Sequence, residues 1–238
     1  MAAARRRDRA AGRFATASDF SRVEARAVKR AGGRAKLEAM LPTARSETEL
    51  RALTDDRYLS LMSLRIFRAG LRHALVDARW PAFEEAFHGF VPSRVVLMSD
   101  EDVERLMGEA RLIRHWAKLK SVRDNAAAVR AIAAQHGSFG AYLADWPTTR
   151  IVELWADLAR RCVQMGGNSG PAFLRMVGKD TFLLTEDVVN GLVALGVCQR
   201  RPSTKPELAA VQAAFVGWSE VTGRPLCRLS RMLALSVG

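Results

Sequence analysis

An all-α fold is predicted for this chain on three observations. Apolar residues, 49% of the 238, recur at spacings of three and four and do not alternate over the length of a strand. Alanine, leucine and arginine dominate, while aromatics make up only 7%, a balance that favours helices over sheets. Helix start and stop signals punctuate the sequence from end to end. The apolar fraction can fill a core, which excludes disorder of the whole chain. The length suits one large domain or two small lobes.

The elements follow in order. Residues 1–17, with Arg5, Arg6 and Arg7, read as a basic flexible arm, and 18–238 as the helical domain. Ser18 offers an N-cap to a basic helix that Gly32 and Gly33 close. Pro42 breaks a short helix, and Ser46 to Glu49 forms a capping box for another. One helix is expected from Asp55 to about Val76, on Tyr58, Leu61, Met62, Ile66 and Leu71. Gly70 lies inside it at a cost of about 1 kcal/mol relative to alanine, which suggests close packing or a ligand near the backbone. Trp80-Pro81 opens the next helix, and Ser99 caps another. Arg111 to Gln135 reads as one long helix, with Ile113, Trp116 and Val122 inward and Arg114, Lys118, Lys120 and Arg123 on the opposite face. Ser138 and Thr148 each start a helix. Later helices run through Phe173 to Val177, from about Thr185 to Leu195, from about Pro206 to Val221, and around Leu229 to Leu235. No internal repeat is present.

The formal charge of +12 attracts polyanions through counterion release. Nucleic acid is the first candidate partner and an acidic membrane surface the second, while a high-GC genome, which enriches arginine everywhere, would produce the same surplus without function. Cys162, Cys198 and Cys227 lie far apart, and His73, His88, His115 and His136 are scattered. No metal site, cofactor or disulfide framework is expected, and a reducing compartment fits. No apolar run is long enough to cross a bilayer, and the N-terminus lacks the apolar stretch of a secretory signal.

Three groups of residues could carry chemistry. The stretch 165–171 reads as a hairpin between two helices, with Gly166, Gly167, Asn168, Ser169 and Gly170 as the turn. Backbone N–H groups at a helix N-terminus suit a phosphate, and glycines there permit positive φ and close approach. Asn168 and Ser169 could add side-chain hydrogen bonds, with Arg175 and Lys179 downstream as counter-charges. A plain helix corner with two glycines is the structural alternative. Beyond it, Asp187 is the candidate catalytic acid near a sugar, and helix capping behind Thr185 is its alternative. Finally, Arg65, Phe67, Arg68 and His73 could line a base pocket, with aromatic stacking and cationic contacts. An amphipathic helix with a basic solvent face is the alternative there.

Several blocks carry a resemblance. Ile66-Phe67-Arg68-Ala69-Gly70-Leu71, Trp80 to Phe87, Phe90-Val91-Pro92 and Met98 to Leu106 form the first set. Arg111-Leu112-Ile113-Arg114-His115 with Lys118 and Asn125-Ala126 is the sharpest. Together, over roughly Leu59 to Gly196, they resemble the DNA-3-methyladenine glycosylase I family. The segments Val211 to Trp218 and Gly223 to Arg231 look like a bacterial branch of it. The resemblance implies a two-lobed helix-hairpin-helix DNA glycosylase fold around a DNA-facing cleft. It implies hydrolysis of the N-glycosidic bond of a flipped, alkylated base in double-stranded DNA, by a monomer in the bacterial cytoplasm at the nucleoid.

The same resemblance locates departures. The family's pocket glutamate corresponds to Arg65, its glutamine to Arg68 and its tryptophan to His73. The zinc ligands found at the ends of well-known members have no counterpart. Two arginines repel a cationic base, so two other readings accompany the first: a non-catalytic DNA-binding protein on a glycosylase scaffold, and an enzyme for a neutral or anionic lesion.

Overall fold

The computed structural model describes residues 17–237. Among them every regular element is helical. The chain forms two compact units, one of 17–44, 147–152 and 180–237, the other of 45–146 and 153–179. The basic arm expected over 1–17 lies almost wholly outside the described residues.

In the first unit, α1 (Ala17–Ala31) and α2 (Arg34–Met40) join α12 (Glu186–Ala194), α13 (Lys205–Thr222) and α14 (Leu226–Ser236). Its core holds an aromatic cluster among aliphatic side chains. Phe182 stacks on Phe215 with ring centroids 4.5 Å apart, and Phe215 meets Trp218 edge-on at 5.3 Å. Fully burying such rings contributes roughly 1.5–3 kcal/mol each. Asp180 sits where its two carboxylate oxygens accept from the amides of Leu226 and Cys227. It therefore satisfies the donors that the start of α14 leaves open.

In the second unit the chain forms α3 (Glu47–Ala52), α4 (Asp55–Arg68), α5 (His73–Ala86), α6 (Pro92–Val95), α7 (Asp100–Met107), α8 (Trp116–His136) and α9 (Phe139–Asp145). It is completed by most of α10 (Ile151–Arg161), which starts in the first unit, and by α11 (Ser169–Val177). The capping boxes expected at Ser46 and Ser99 are present, and Ser138 and Thr185 cap their helices. These are local bonds in which a hydroxyl oxygen accepts from the amide three residues on, so they follow from sequence alone.

Three expectations change. The helix expected from Asp55 to Val76 is two helices, broken over 69–72, with Gly70 at φ 77°. Trp80-Pro81 does not open a helix, because both lie inside α5. The indole of Trp80 anchors that turn: it donates to Ser60 Oγ at 3.1 Å and stacks on Phe83 and Phe90 at 4.9 and 5.4 Å. Last, Arg111 to His115 are not helical, and α8 starts at Trp116. The carbonyl of Leu112 accepts from the Arg79 guanidinium at 3.0 Å.

Candidate functional site

Helix α8 organises both regions that sequence marked in the second unit. Its buried side is Lys118, Val122, Asn125, Val129 and Ile132, a spacing of four and three that turns one stripe inward. Two polar residues therefore stand in the core stripe, and each is spent on a neighbouring loop's backbone.

Asn125 is fully buried. Its amide donates to the carbonyl of Val163 at 3.1 Å and accepts from the amide of Val163 at 2.7 Å. The side-chain amide of Gln164 donates to the carbonyl of Ala117 at 2.9 Å, with Gln164 itself at φ 60°. The hairpin between α10 and α11 is thus clamped onto α8 at two consecutive residues. Beyond the clamp, Gly167 takes φ 58° and Gly170 donates to the carbonyl of Met165 at 3.1 Å. A Cβ on Gly170 would lie 2.8 Å from that oxygen, so the turn closes only over a glycine.

Gly166, Gly167 and Asn168 are exposed, and Ser169 is partly so. Asn168 stands at the N-cap of α11 without a side-chain capping bond. The amides of Gly166 and Gly167 take no backbone partner among the described residues. An exposed turn with open N–H groups ahead of a nine-residue helix offers an anion both direct donors and the positive end of the helix dipole.

Lys118 serves the other region. Expected on the solvent face of α8, it is only 8% exposed, and its ammonium donates to the carbonyls of Ala69 at 2.7 Å and Phe67 at 3.3 Å. Those carbonyls are orphans of the end of α4, and a cation suits them. This contact fixes the break that sequence periodicity missed. Burial, with Arg65 nearby, pushes the Lys118 pKa below its ordinary value.

Around this turn the expected pocket residues separate. Phe67 is fully buried, with Phe83 edge-on at 4.6 Å and Trp80 at 6.2 Å. It is core rather than a stacking surface, a correction that an amphipathic stripe could not reveal. Arg68 pairs with Asp77 at 2.7 Å. His73 is the exposed first residue of α5. Arg65 lies one turn before Arg68 on α4, partly buried, with its Nε sealed from solvent and without a hydrogen-bond partner. Burial, then Arg68, lowers its pKa.

The counter-charges near the hairpin differ from expectation. Lys179 is 5% exposed and donates to the carbonyl of Trp146 at 2.5 Å, so it is an internal anchor and not a surface cation. Arg175 is partly buried on α11. Asp187 belongs to the first unit. It is exposed in the first turn of α12, behind the cap in which Thr185 Oγ1 accepts from the amide of Val188 at 3.3 Å. Trp116, expected inward, is 38% exposed at the start of α8.

Sequence reasoning missed the anchoring roles of Lys118 and Asn125. The available signal was their register with Val122, Val129 and Ile132. Among the described residues, no group of His, Cys, Asp and Glu could hold a metal ion. No helix among them is long and apolar enough to cross a membrane.

Comparison with known proteins gives consistent matches. The family model described as methyladenine glycosylase matches residues 34–165, more than half of the chain. The chain is 37% identical over 76 residues to DNA-3-methyladenine glycosylase 1 of Escherichia coli, covering 32% of this chain and 41% of that protein. It is also 37% identical over 65 residues to DNA-3-methyladenine glycosylase of Haemophilus influenzae, covering 27% and 35%. These matches span about two fifths of the curated relatives. Among solved structures, a mutant of 3-methyladenine DNA glycosylase I from Staphylococcus aureus aligns with a TM-score of 0.49 at 21% identity, over 71% of this chain and 92% of that one. A second structure of that enzyme, which describes 3-methyladenine recognition, aligns at 0.48 and 23% identity, over 64% and 85%.

Proposed function

Because this chain belongs to the methyladenine glycosylase family, we propose that it is a monofunctional DNA glycosylase that removes an alkylated base from double-stranded DNA in base excision repair. In the reaction the bond between C1′ and the base nitrogen breaks and its electron pair leaves with the base. Water adds to C1′ and gives up a proton.

The observation that carries this reading beyond family membership is the clamped hairpin. Asn125 and Gln164 hold the start of the hairpin against α8, and the exposed Gly166 and Gly167 that follow have amides without a backbone partner among the described residues. Gly166 and Gly167 would grip a backbone phosphate there with Asn168 beside them, Ser169 and Gly170 closing the turn behind them through their own amides, with Arg175 adding charge. Arg65, Arg68 and His73 would border the base. Lys118 and Lys179 each have their ammonium on backbone carbonyls. Neither is a ready amine nucleophile, which supports a hydrolase without a lyase step. Asp187 is the candidate acid near the sugar. It forms no ion pair among the described residues and is open to solvent. The protein would work as a monomer at the bacterial nucleoid.

The test is release of free base from duplexes carrying one methylated, deaminated or oxidised base. Release from a methylated duplex is expected, reduced at least about 100-fold in Asp187→Asn with unchanged thermal unfolding. Affinity for the duplex should fall steeply with salt. One observation favours a second reading. The partnerless Arg65 cation would repel a cationic base, and duplex binding without release from any lesion would identify a non-catalytic binder on this scaffold.

A further inference from the structure

Half of the formal net charge of +12 stands on the first seventh of the sequence. Residues 1–33 hold nine of the 37 lysines and arginines but only three of the 25 acids, a surplus of six. A uniform enrichment in arginine would spread the surplus along the chain. These residues also precede the stretch matched by the family model, 34–165.

Among them α1 sorts its side chains by face. Phe20, Val23 and Ala27 are buried, and Phe20 packs on Trp218 with ring centroids 5.4 Å apart. Arg22, Arg26, Lys29 and Arg30 recur at spacings of three and four and are all exposed. The row spans about 12 Å at a rise of about 1.5 Å per residue. None of the four forms an ion pair among the described residues, and Glu24 is occupied by Arg34 at 2.7 Å and Arg224 at 3.0 Å. A cavity of about 120 Å³ lies between α1, α12 and α14, lined by Arg22 and Arg26 with Val23, Ala194, Leu195 and Leu233.

We propose that this outer face of α1 is a second DNA-contact surface, one that binds phosphates of the duplex backbone without regard to sequence or lesion. It rests on the reading of the chain as a duplex-binding glycosylase and adds to the hairpin a contact on the other unit. Four cations fixed on one helix face, with no carboxylate among them, release counterions when they meet a polyphosphate. The cavity keeps protein off one flank of Arg22 and Arg26, which leaves their guanidinium donors open to phosphate oxygens. An anionic lipid surface fits this face less well. A helix lying in a membrane buries its apolar side in lipid, and here Phe20, Val23 and Ala27 are already packed in the unit's core.

The test is a salt titration of the whole chain on a short undamaged duplex and on the same duplex carrying one methylated base. In a variant combining Arg22→Gln, Arg26→Gln, Lys29→Gln and Arg30→Gln, affinity for both duplexes at low salt should fall at least about tenfold. Its slope of log affinity against log salt should become shallower by about 2 to 4. The ratio of the two affinities should stay as in the wild type, and so should the melting temperature, since the four side chains are exposed. A control variant loses four exposed charges scattered elsewhere, by Arg94→Gln, Arg105→Gln, Arg130→Gln and Lys205→Gln. Its slope should change by less than about 1.

An unaltered slope in the first variant, an equal loss in both variants, a changed lesion preference, or no duplex binding by the wild type overturns the proposal. Binding to phosphatidylserine vesicles that the first variant loses, with its duplex affinity intact, assigns the face to a membrane and also overturns it. The two readings fail separately. Absence of base release from the methylated duplex, with the effect of the four substitutions as expected, sinks the glycosylase reading and leaves the surface. Base release by a first variant that binds duplex as the wild type does has the reverse meaning.

Discussion

The hairpin of Val163 to Gly170 and the turn of Ala69 to Arg72 are both held by α8, yet they are finished differently. At the hairpin the clamp is neutral: an amide side chain gives one bond and takes one, so donor and acceptor are matched. At the turn the clamp is a buried ammonium, and a second cation, Arg65, lies close by without a partner. The first region is complete in itself. The second keeps a charge that folding does not compensate. The difference teaches that one helix can fix backbone geometry at two loops by different means, matched dipoles at one and a net charge at the other.

The largest effect is expected from breaking the neutral clamp. Asn125→Ala leaves both the N–H and the C=O of Val163 without their partner and opens a cavity in the core stripe. We expect a loss of about 2–3 kcal/mol, seen as a fall in melting temperature of roughly 5–10 °C for a chain of this size. Duplex affinity should weaken in parallel. A melting temperature within a degree of wild type would show that the clamp is ornamental.

Next comes Gly170→Ala. The added Cβ meets the Met165 carbonyl at 2.8 Å, and backbone cannot yield as a side chain can. A cost of about 1–3 kcal/mol is expected, with faster hydrogen exchange confined to 165–170. Faster exchange spread over the whole unit would contradict a locally closed turn.

The charged clamp calls for a pH measurement. The folded-state pKa of Lys118 lies below the ordinary value of 10.5, so between the two the unfolded chain binds more protons and stability rises with pH. The penalty is present below the folded value and is relieved as pH rises toward 10.5. Lys118→Met leaves the carbonyls of Phe67 and Ala69 without their donor and should cost about 1–2 kcal/mol at neutral pH, and its denaturation midpoints should lack that alkaline rise. Parallel pH profiles for both proteins would remove the contrast between the two clamps.

The smallest effect is expected at the rim. Arg68→Gln releases Asp77 from a partly exposed pair, and such pairs contribute about 0–1 kcal/mol. A loss above 2 kcal/mol by chemical denaturation would mean that the turn depends on Arg68 as well as on Lys118.

These two regions also mark what sequence could reveal. Ser46, Ser99, Ser138 and Thr185 are legible because a cap needs only a hydroxyl and an amide three residues apart. The glycine-rich hairpin is legible as a turn for a similar local reason. The break after Arg68 is not legible, since the cation that holds its carbonyls comes from 49 residues away. Phe67 looks the same from sequence whether it faces a pocket or fills the core, and only Phe83 and Trp80 decide between them. Lys179 reads as a surface charge until the carbonyl of Trp146 is placed against it.

The seat of α8 has a consequence for motion. Because a single rigid rod carries Lys118 and Asn125 about two turns apart, neither loop can loosen through a shift of that rod without disturbing the other. The pair should therefore open as one cooperative unit in native-state exchange. A ligand that steadies the hairpin would then slow breathing at the turn, with no messenger between them beyond the stiffness of the helix.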